Sequence, residues 1–138
     1  MKFKHKIGSV FIIVAVLISL VIRIRPILFP TYQEVLKKYW GIEIPKPVQI
    51  VEIKSQANEG IRSYKLEYEN NKIDTFLKEN KVLIKVSENS PYKVLKLIGK
   101  FEDNTEYYYI MKDANTYYSK IIIFQIKDNI IITIEDLG

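Results

Sequence analysis

The sequence predicts an α+β protein in which an N-terminal transmembrane helix precedes a small domain built on an antiparallel sheet. Three observations lead to this prediction. Residues Ile7–Ile22 carry no charge. Isoleucine runs at 121–123 and 130–132 are typical of strands that are covered on both faces or lie near a sheet centre. Short segments with helical spacing separate other strand-like segments, and we expect about five strands and two or three short helices.

The N-terminal apolar run is predicted to be a membrane anchor. A spanning helix needs about 20 apolar residues, and the run reaches this length if the arginines that follow it snorkel toward the lipid headgroups. The residues assigned to the span are Ile7, Phe11, Ile12, Val16, Leu20 and Ile22, and the basic residues assigned to its flanks are Lys2, Lys4, Lys6, Arg23 and Arg25.

A cleaved signal peptide and a buried core helix are the alternatives for this segment. Cleavage favours small residues at the −3 and −1 positions, but Ala15 lies in the middle of the run and residues 19–26 contain no such pair. A uniformly apolar segment is also a poor core helix for so small a chain. An uncleaved anchor is therefore favoured.

The orientation follows from the flanking charges. Basic flanks tend to remain in the cytoplasm, but here both ends of the span are basic. The signal-anchor layout favours a cytoplasmic N-terminus, a single pass through the cell membrane and an extracytoplasmic C-terminal domain.

Composition excludes several classes of function. Five of the 21 Lys and Arg residues flank the apolar run, so the rest of the chain balances sixteen basic against sixteen acidic residues. No basic surface for nucleic acid is predicted. The absence of cysteine excludes disulfides, thiol nucleophiles and thiolate metal sites.

The chain divides into three predicted parts: the anchor at 1–30, a short helix with a proline-rich linker at 31–47, and the α+β domain at 48–138. Thr31 and Glu34 have capping-box spacing, and Gly41 is placed to end that helix. The domain begins with strand-like segments at 48–54 and 61–69 that are predicted to form a hairpin.

The middle of the domain is predicted to contain two helices. The first covers residues 72–79 with Asn70 or Asn71 as its cap. The second begins with Ser90 as N-cap and Pro91 at N1 and extends to about residue 100. A strand at 93–101 is the alternative for the second helix. The type of segment 82–86 is left open.

Three strands, at 106–112, 117–127 and 130–135, complete the predicted sheet, and the helices are expected to pack on one of its faces. The tyrosines near the turn at 113–116 have two interpretations. Either they form an exposed row that binds a protein partner or stacks on sugar rings, or they pack in the sheet core. The candidate binding surface consists of Tyr107, Tyr109 and Tyr117.

Catalytic patterns are absent from the sequence. The one histidine, His5, precedes the anchor, so histidine-dependent catalysis in the domain is excluded. No glycine-rich phosphate loop occurs, and Asp and Asn near residues 103, 113 and 128 lack calcium-loop spacing. We expect no catalytic residue, cofactor or metal. The acidic residues weighed as hydrolase pairs are Glu67, Glu69, Glu102, Asp103 and Glu106.

Several features together resemble uncharacterised small membrane-anchored proteins of low-GC Gram-positive bacteria. They are the segment Gly41–Pro47, the strand pair after it, the helix near Lys72, the strand with adjacent tyrosines and the closing hairpin. The resemblance implies an anchored α+β domain and no particular activity.

The expected partners are the lipid bilayer together with an unidentified protein or a cell-wall glycan. An immunity or accessory protein that binds another protein is favoured. A glycan-binding module that uses exposed tyrosines is the alternative, and a carboxylate-dependent hydrolase is less favoured.

Overall fold

The computed structural model describes residues 2–28, 31–56, 60–113 and 119–138. Within these ranges, side chains are described for residues 8–23, 31–53, 60–113 and 119–138. The chain divides into two compact units, Met1–Ile42 and Glu43–Gly138.

The helices are α1 (Lys2–Leu28), α2 (Tyr32–Trp40), α3 (Lys72–Glu79) and α4 (Tyr92–Ile98), and the strands are β1 (Gln49–Gln56), β2 (Ile61–Glu67), β3 (Ile84–Lys85), β4 (Glu106–Lys112), β5 (Lys120–Lys127) and β6 (Ile130–Asp136). All six strands lie in one sheet with the order β1-β2-β6-β5-β4-β3. Each neighbouring pair is antiparallel. The structure therefore confirms the predicted α+β class and the antiparallel sheet.

In the first unit, α1 contains the predicted span. Every described side chain of α1, from Gly8 to Arg23, is exposed. Within the described part of the chain, none of the helices combines the length and the apolar character that crossing a membrane requires.

Helix α2 begins and ends where the sequence predicts. The Thr31 hydroxyl oxygen accepts a hydrogen bond from the Glu34 N–H at 3.3 Å, and the Glu34 carboxylate accepts one from the Thr31 N–H at 2.9 Å. These bonds satisfy N–H groups that the first helical turn leaves without partners. Gly41 ends the helix in a left-handed conformation (φ 71°), which glycine adopts without a steric cost.

The sheet has six strands, one more than the five predicted. The additional strand is β3, in the segment whose type the sequence left open. Ile84 and Lys85 pair with Tyr109 and Tyr108 of β4, and the Val86 N–H donates to the Tyr107 carbonyl at 2.9 Å. Two residues are too few to show an alternation pattern. The strand forms because it pairs with β4, which its own sequence does not reveal.

The helices of the second unit cover both faces of the sheet, so the prediction that they pack on one face was wrong. Helix α4 inserts Val94 into a buried cluster with Ile121 and Ile123 of β5. Helix α3 places the Phe76 ring 5.4 Å from the Phe124 ring. Because neighbouring strand residues point to opposite faces, Ile123 and Phe124 lie on different sides of the sheet.

Strand β5 is the centre of the core. The side chains of Ile121, Ile122, Ile123 and Phe124 are all completely buried. Four successive buried residues require cover on both faces, and α4 packs on one face while α3 packs on the other. This arrangement confirms the interpretation of the isoleucine run at 121–123 as a strand covered on both sides.

The helical starts differ in detail from the predicted caps. Asn71 precedes α3 in a left-handed conformation (φ 68°) and makes no side-chain capping bond. Pro91, not Ser90, is the N-cap of α4, and the Ser90 hydroxyl instead accepts a hydrogen bond from the Ser87 N–H at 2.8 Å. The helix was nevertheless correctly favoured over a strand at 93–101.

Asn80 ties the beginning of the second unit to the end of α3. Its side-chain oxygen accepts from the Glu43 N–H at 2.9 Å. Its side-chain N–H groups donate to the carbonyls of Glu43 at 2.7 Å and Phe76 at 2.8 Å. Asn80 is buried, so these bonds replace the water that the amide and backbone groups lose.

We predict that Phe124→Ala lowers the free energy of unfolding by about 3–5 kcal/mol, because the variant loses apolar burial and leaves a cavity against Phe76. Denaturant unfolding of the full chain measures this change. Tyr92→Ala is the control, since Tyr92 is 78% exposed and its removal should cost less than about 1 kcal/mol. Equal losses in the two variants would contradict the assignment of β5 as the core.

Candidate functional site

Two of the three tyrosines of the candidate surface, Tyr107 and Tyr109, are buried. Tyr107 and Tyr109 are only 5% and 8% exposed and pack with Val94 of α4. Their alternation places both rings on the face that α4 covers, so the packing interpretation applies to them. Tyr117 lies outside the described residues. For Tyr107 and Tyr109, the interpretation as an exposed row was therefore wrong and the alternative, packing in the core, is correct.

The contacts of these tyrosines also fit a packing role. The Tyr107 hydroxyl accepts a hydrogen bond from the Glu102 N–H at 3.0 Å, and its ring meets the Phe101 ring edge-on at 5.0 Å. Tyr108 points to the opposite face and donates to the Glu106 carboxylate at 3.0 Å. Partial burial, and then this hydrogen bond, raise the pKa of Tyr108.

The residues predicted to contact lipid lie on α1. The side chains of Phe11, Ile12, Val16, Leu20 and Ile22 are 46–71% exposed. Of the predicted basic flank, the Arg23 side chain is exposed. The backbone of α1 also includes the other members, whose side chains lie outside the described residues: Ile7, Lys2, Lys4, Lys6 and Arg25.

A depression at one end of the sheet is the strongest candidate binding site, and we call it the polar pocket. It encloses about 320 Å³, which lies within the range of small-ligand sites. Helix α3 and three turns contribute to it, namely those before α3, before β4 and between β5 and β6. Its lining residues are Asn71, Ile73, Asp74, Leu77, Asn104, Glu106, Ile126, Asp128 and Asn129.

Strained turns form the rim of the polar pocket. Asn71, Asn104 and Asp128 have φ values of 68°, 57° and 53°. They are three of the four non-glycine residues with positive φ in the described part of the chain. Asn and Asp tolerate this left-handed conformation better than other residues because their side chains bond locally. Each turn brings a short polar side chain to the rim.

Hydrogen bonds hold two of these turns together. The Asn129 side chain donates to the side-chain oxygen of Asn70 at 3.0 Å. The Tyr68 N–H donates to the Asn129 carbonyl at 2.9 Å. The turn after β5 is therefore fixed against the segment that leads into α3, although almost sixty residues separate them along the chain.

The polar pocket combines an acidic rim with an apolar floor. Asp74, Glu106 and Asp128 contribute three carboxylates, and among the residues whose positions the structure describes no Lys or Arg lines the pocket. Ile73 and Ile126 are buried beneath the rim. Three carboxylates in one pocket lining favour a positively charged group, and the amides of the rim supply further hydrogen-bond donors and acceptors.

The acidic pairs considered from the sequence have different surroundings. Glu67 forms a half-exposed ion pair with Lys65 at 3.2 Å, and Glu102 accepts a hydrogen bond from Gln125 at 3.5 Å. Glu106 alone of these acids lines the polar pocket. Among the residues with described positions, no group of three His, Cys, Asp or Glu side chains has the geometry to hold a metal ion.

Sequence reasoning located only part of this site. Asn104, Asp128 and Asn129 were recognised as turn residues, and Glu106 as an acid at a strand start. Asp74 was overlooked because it lies on the solvent side of an amphipathic helix. The signal that was available is the presence of Asp or Asn at three turns, but the sequence does not show that the three turns meet.

Comparisons with known proteins identify no relative. The chain matches no protein family, no curated protein and no solved structure.

Tyr68 is a buried polar residue near the end of the sheet that holds the polar pocket. Its side chain is 7% exposed, and its hydroxyl has no hydrogen-bond partner within the described parts of the chain. Burial raises the pKa of this phenol well above its usual value. An unpaired buried hydroxyl costs about 1–3 kcal/mol.

We predict that Tyr68→Phe increases stability at neutral pH by about 1 kcal/mol, because it removes a desolvated hydroxyl and keeps the ring. The wild-type chain should also lose stability as the pH rises above about 10, since the unfolded phenol then releases its proton while the folded phenol keeps it. Denaturant unfolding between pH 7 and 11 measures both effects.

The Tyr68→Phe variant should show a shallower alkaline loss. Some loss should remain, since burial also raises the pKa of Tyr64 and Tyr108. Destabilisation of the variant at pH 7 would show that the hydroxyl is paired and would contradict the prediction.

Proposed function

We propose that this chain is a single-pass membrane protein whose C-terminal domain binds a partner without catalysis, as an immunity or accessory protein does. The observation that carries the binding role is the polar pocket, whose described lining contains three carboxylates and no basic residue. The membrane role is carried separately by the charge-free run of α1. The two parts of the proposal are tested separately.

The exposed apolar side chains of α1 support the tether. In α1, valine, isoleucine, leucine and phenylalanine side chains are 46–71% exposed over residues 10–22. At about 25 cal/mol per Å² of apolar surface, leaving these side chains in water is unfavourable. A bilayer provides the missing cover. The proposed span also uses apolar residues beyond Arg23, with Arg23 and Arg25 snorkelling at the interface.

We predict that the full chain remains with membranes after carbonate washing and that intact cells expose a C-terminal tag to added protease. The variant Val14→Glu/Leu17→Glu should be released from membranes, because each charge near a bilayer centre costs about 2–4 kcal/mol. Val14→Leu/Leu17→Val is the matched control and should stay.

Release of the wild-type chain by carbonate would exclude the tether. Retention of the chain with a tag that protease reaches only after lysis would exclude the extracytoplasmic orientation and place the domain on the cytoplasmic side.

The partner follows from the chemistry of the polar pocket. Its carboxylates belong to three separate elements, namely α3, the start of β4 and the turn between β5 and β6. A protein segment that carries Lys or Arg complements this charge. The apolar floor at Ile73, Leu77 and Ile126 can cover the aliphatic stem of such a side chain.

We predict that an amidated hexalysine peptide binds the full chain in low salt and that the triple variant Asp74→Asn/Glu106→Gln/Asp128→Asn binds it at least tenfold more weakly. Fluorescence anisotropy of the labelled peptide measures both affinities. The replacements keep the side-chain shapes and remove three charges, which are worth about 0.5–1 kcal/mol each for partly exposed pairs.

The control variant is Glu69→Gln/Glu79→Gln/Glu88→Gln, which removes three exposed charges elsewhere on the domain. It should bind as the wild type does, because none of these three residues lines the polar pocket. The two triple variants have the same net charge, so a difference between them cannot come from net charge. Equal weakening in both would mean that only net charge matters, and absence of wild-type binding would overturn the pocket as a site for basic partners.

Binding of a cell-wall glycan is the second candidate, and one observation favours it. The amides and carboxylates of the polar pocket are suited to hydrogen bonds with sugar hydroxyls. Tyr107 and Tyr109 are buried, so this mode of glycan binding does not use them for stacking. Pelleting with purified cell wall, lost in the pocket variant and kept in the control variant, would support a glycan ligand over a basic protein segment.

A further inference from the structure

The face of the sheet that α4 covers is only partly closed. Ile131 of β6 is completely buried, whereas its neighbours Ile130 and Ile132, which point to the opposite face, are half-buried. Ile132 lies opposite Gln125, two residues along β5 from Ile123, so these half-buried side chains share the face that α4 covers. Helix α4 therefore covers this face at Ile123 and leaves it incompletely covered toward the end of β5.

The incompletely covered part of this face forms a second depression, which we call the sheet groove. It encloses about 330 Å³, which lies within the range of small-ligand sites. Ile130 and Ile132 of β6 are its apolar floor. Polar side chains from β2, β5, the turn after β5 and the segment between α4 and β4 complete its described lining: Lys65, Glu102, Gln125, Lys127 and Asp128.

The register of the sheet sets the width of the sheet groove. Ile132 lies beside Lys65 of β2, and Ile130 lies between Glu67 of β2 and Lys127 of β5. Neighbouring strands are about 4.8 Å apart, so β2 and β5 stand about 10 Å apart with the two isoleucines between them. An aliphatic chain of a few carbon atoms fits across this width.

Opposite charges stand close together on the β5 side of the sheet groove. The Gln125 side chain donates to the Glu102 carboxylate at 3.5 Å, which places that carboxylate beside Gln125. Lys127 follows two residues along β5, on the same face and about 7 Å away. An α-amino acid carries its ammonium and carboxylate groups on one carbon atom, so both groups can reach these two side chains at once.

The groups needed for such a ligand are available. Among the residues whose positions the structure describes, Lys127 takes part in no ion pair, whereas Lys65 is already paired with Glu67 at 3.2 Å. The hydrogen bond from Gln125 to Glu102 is long and therefore weak. An ammonium group that replaces it on the carboxylate loses little and gains an ionic hydrogen bond.

We infer that the sheet groove binds a zwitterionic α-amino acid with an apolar side chain. Lys127 binds its carboxylate, Glu102 binds its ammonium group, and its side chain covers Ile130 and Ile132. The described lining contains two lysines and two carboxylates, so it favours a ligand with both charges over a simple cation or anion. The inference does not depend on the polar pocket or on the tether.

Titration calorimetry of the full chain in mild detergent tests the class of ligand, with each probe corrected for binding to detergent alone. L-leucine should bind at least threefold more tightly than isoamylamine, which lacks the carboxylate, or isocaproate, which lacks the ammonium group. L-alanine should also bind at least threefold more weakly than L-leucine, because its methyl group leaves the apolar floor uncovered.

Substitutions then test the two ends of the ligand separately. Lys127→Gln should remove the advantage of L-leucine over isoamylamine, and Glu102→Gln should remove its advantage over isocaproate. Lys81→Gln and Glu88→Gln are the matched controls, since both residues are exposed and neither lines the sheet groove. They should bind L-leucine as the wild type does. Circular dichroism checks that every variant is folded.

Three results would overturn the inference. They are absence of L-leucine binding to the wild type, equal binding of L-leucine and one of its two fragments, and equal weakening of L-leucine binding in the control variants. The second result would make the sheet groove a site for a simple cation or anion. Asp128, which lines both depressions, is unchanged in all these variants, so failure here leaves the proposed partner of the polar pocket unaffected.

Discussion

The structure of the second unit depends on covering β5 from both sides. Four successive residues of this strand are completely buried, so neither face of the sheet centre can be left to water. Helix α4 supplies Val94 on one face and α3 supplies Phe76 on the other. The burial of Tyr107 and Tyr109 is a consequence, because they share the face that α4 must cover.

The covering of β5 by α3 also creates the polar pocket. Once α3 is held against Phe124, its exposed side faces the turns at one end of the sheet. The left-handed residues Asn71, Asn104 and Asp128 shape those turns, and the Asn129–Asn70 hydrogen bond joins two of them. The acidic rim therefore combines groups that are remote in sequence, on a floor that belongs to the core. Stability at this site is provided by the apolar floor, and charge by the rim.

Sequence reasoning succeeded where the signal is local. The capping box at Thr31, the end of α2 at Gly41 and the strands rich in β-branched residues were predicted with nearly the correct bounds. It failed where a position depends on a distant neighbour. Strand β3 exists because β4 lies beside it, and Asp74 belongs to a pocket because two turns approach it. The burial of Glu135, which is 3% exposed, is a third example, because carboxylates rarely lie in a protein interior and its sequence position does not predict it.

The sequence by itself determined the class of this protein, the apolar helix before the domain and the order of most elements, because hydrophobic periodicity, caps and turn residues act over a few positions. Only the tertiary structure decided the six-strand order, the covering of both sheet faces and the surroundings of each tyrosine and carboxylate. Alternation assigns a side chain to one of two faces, but what covers that face depends on long-range packing.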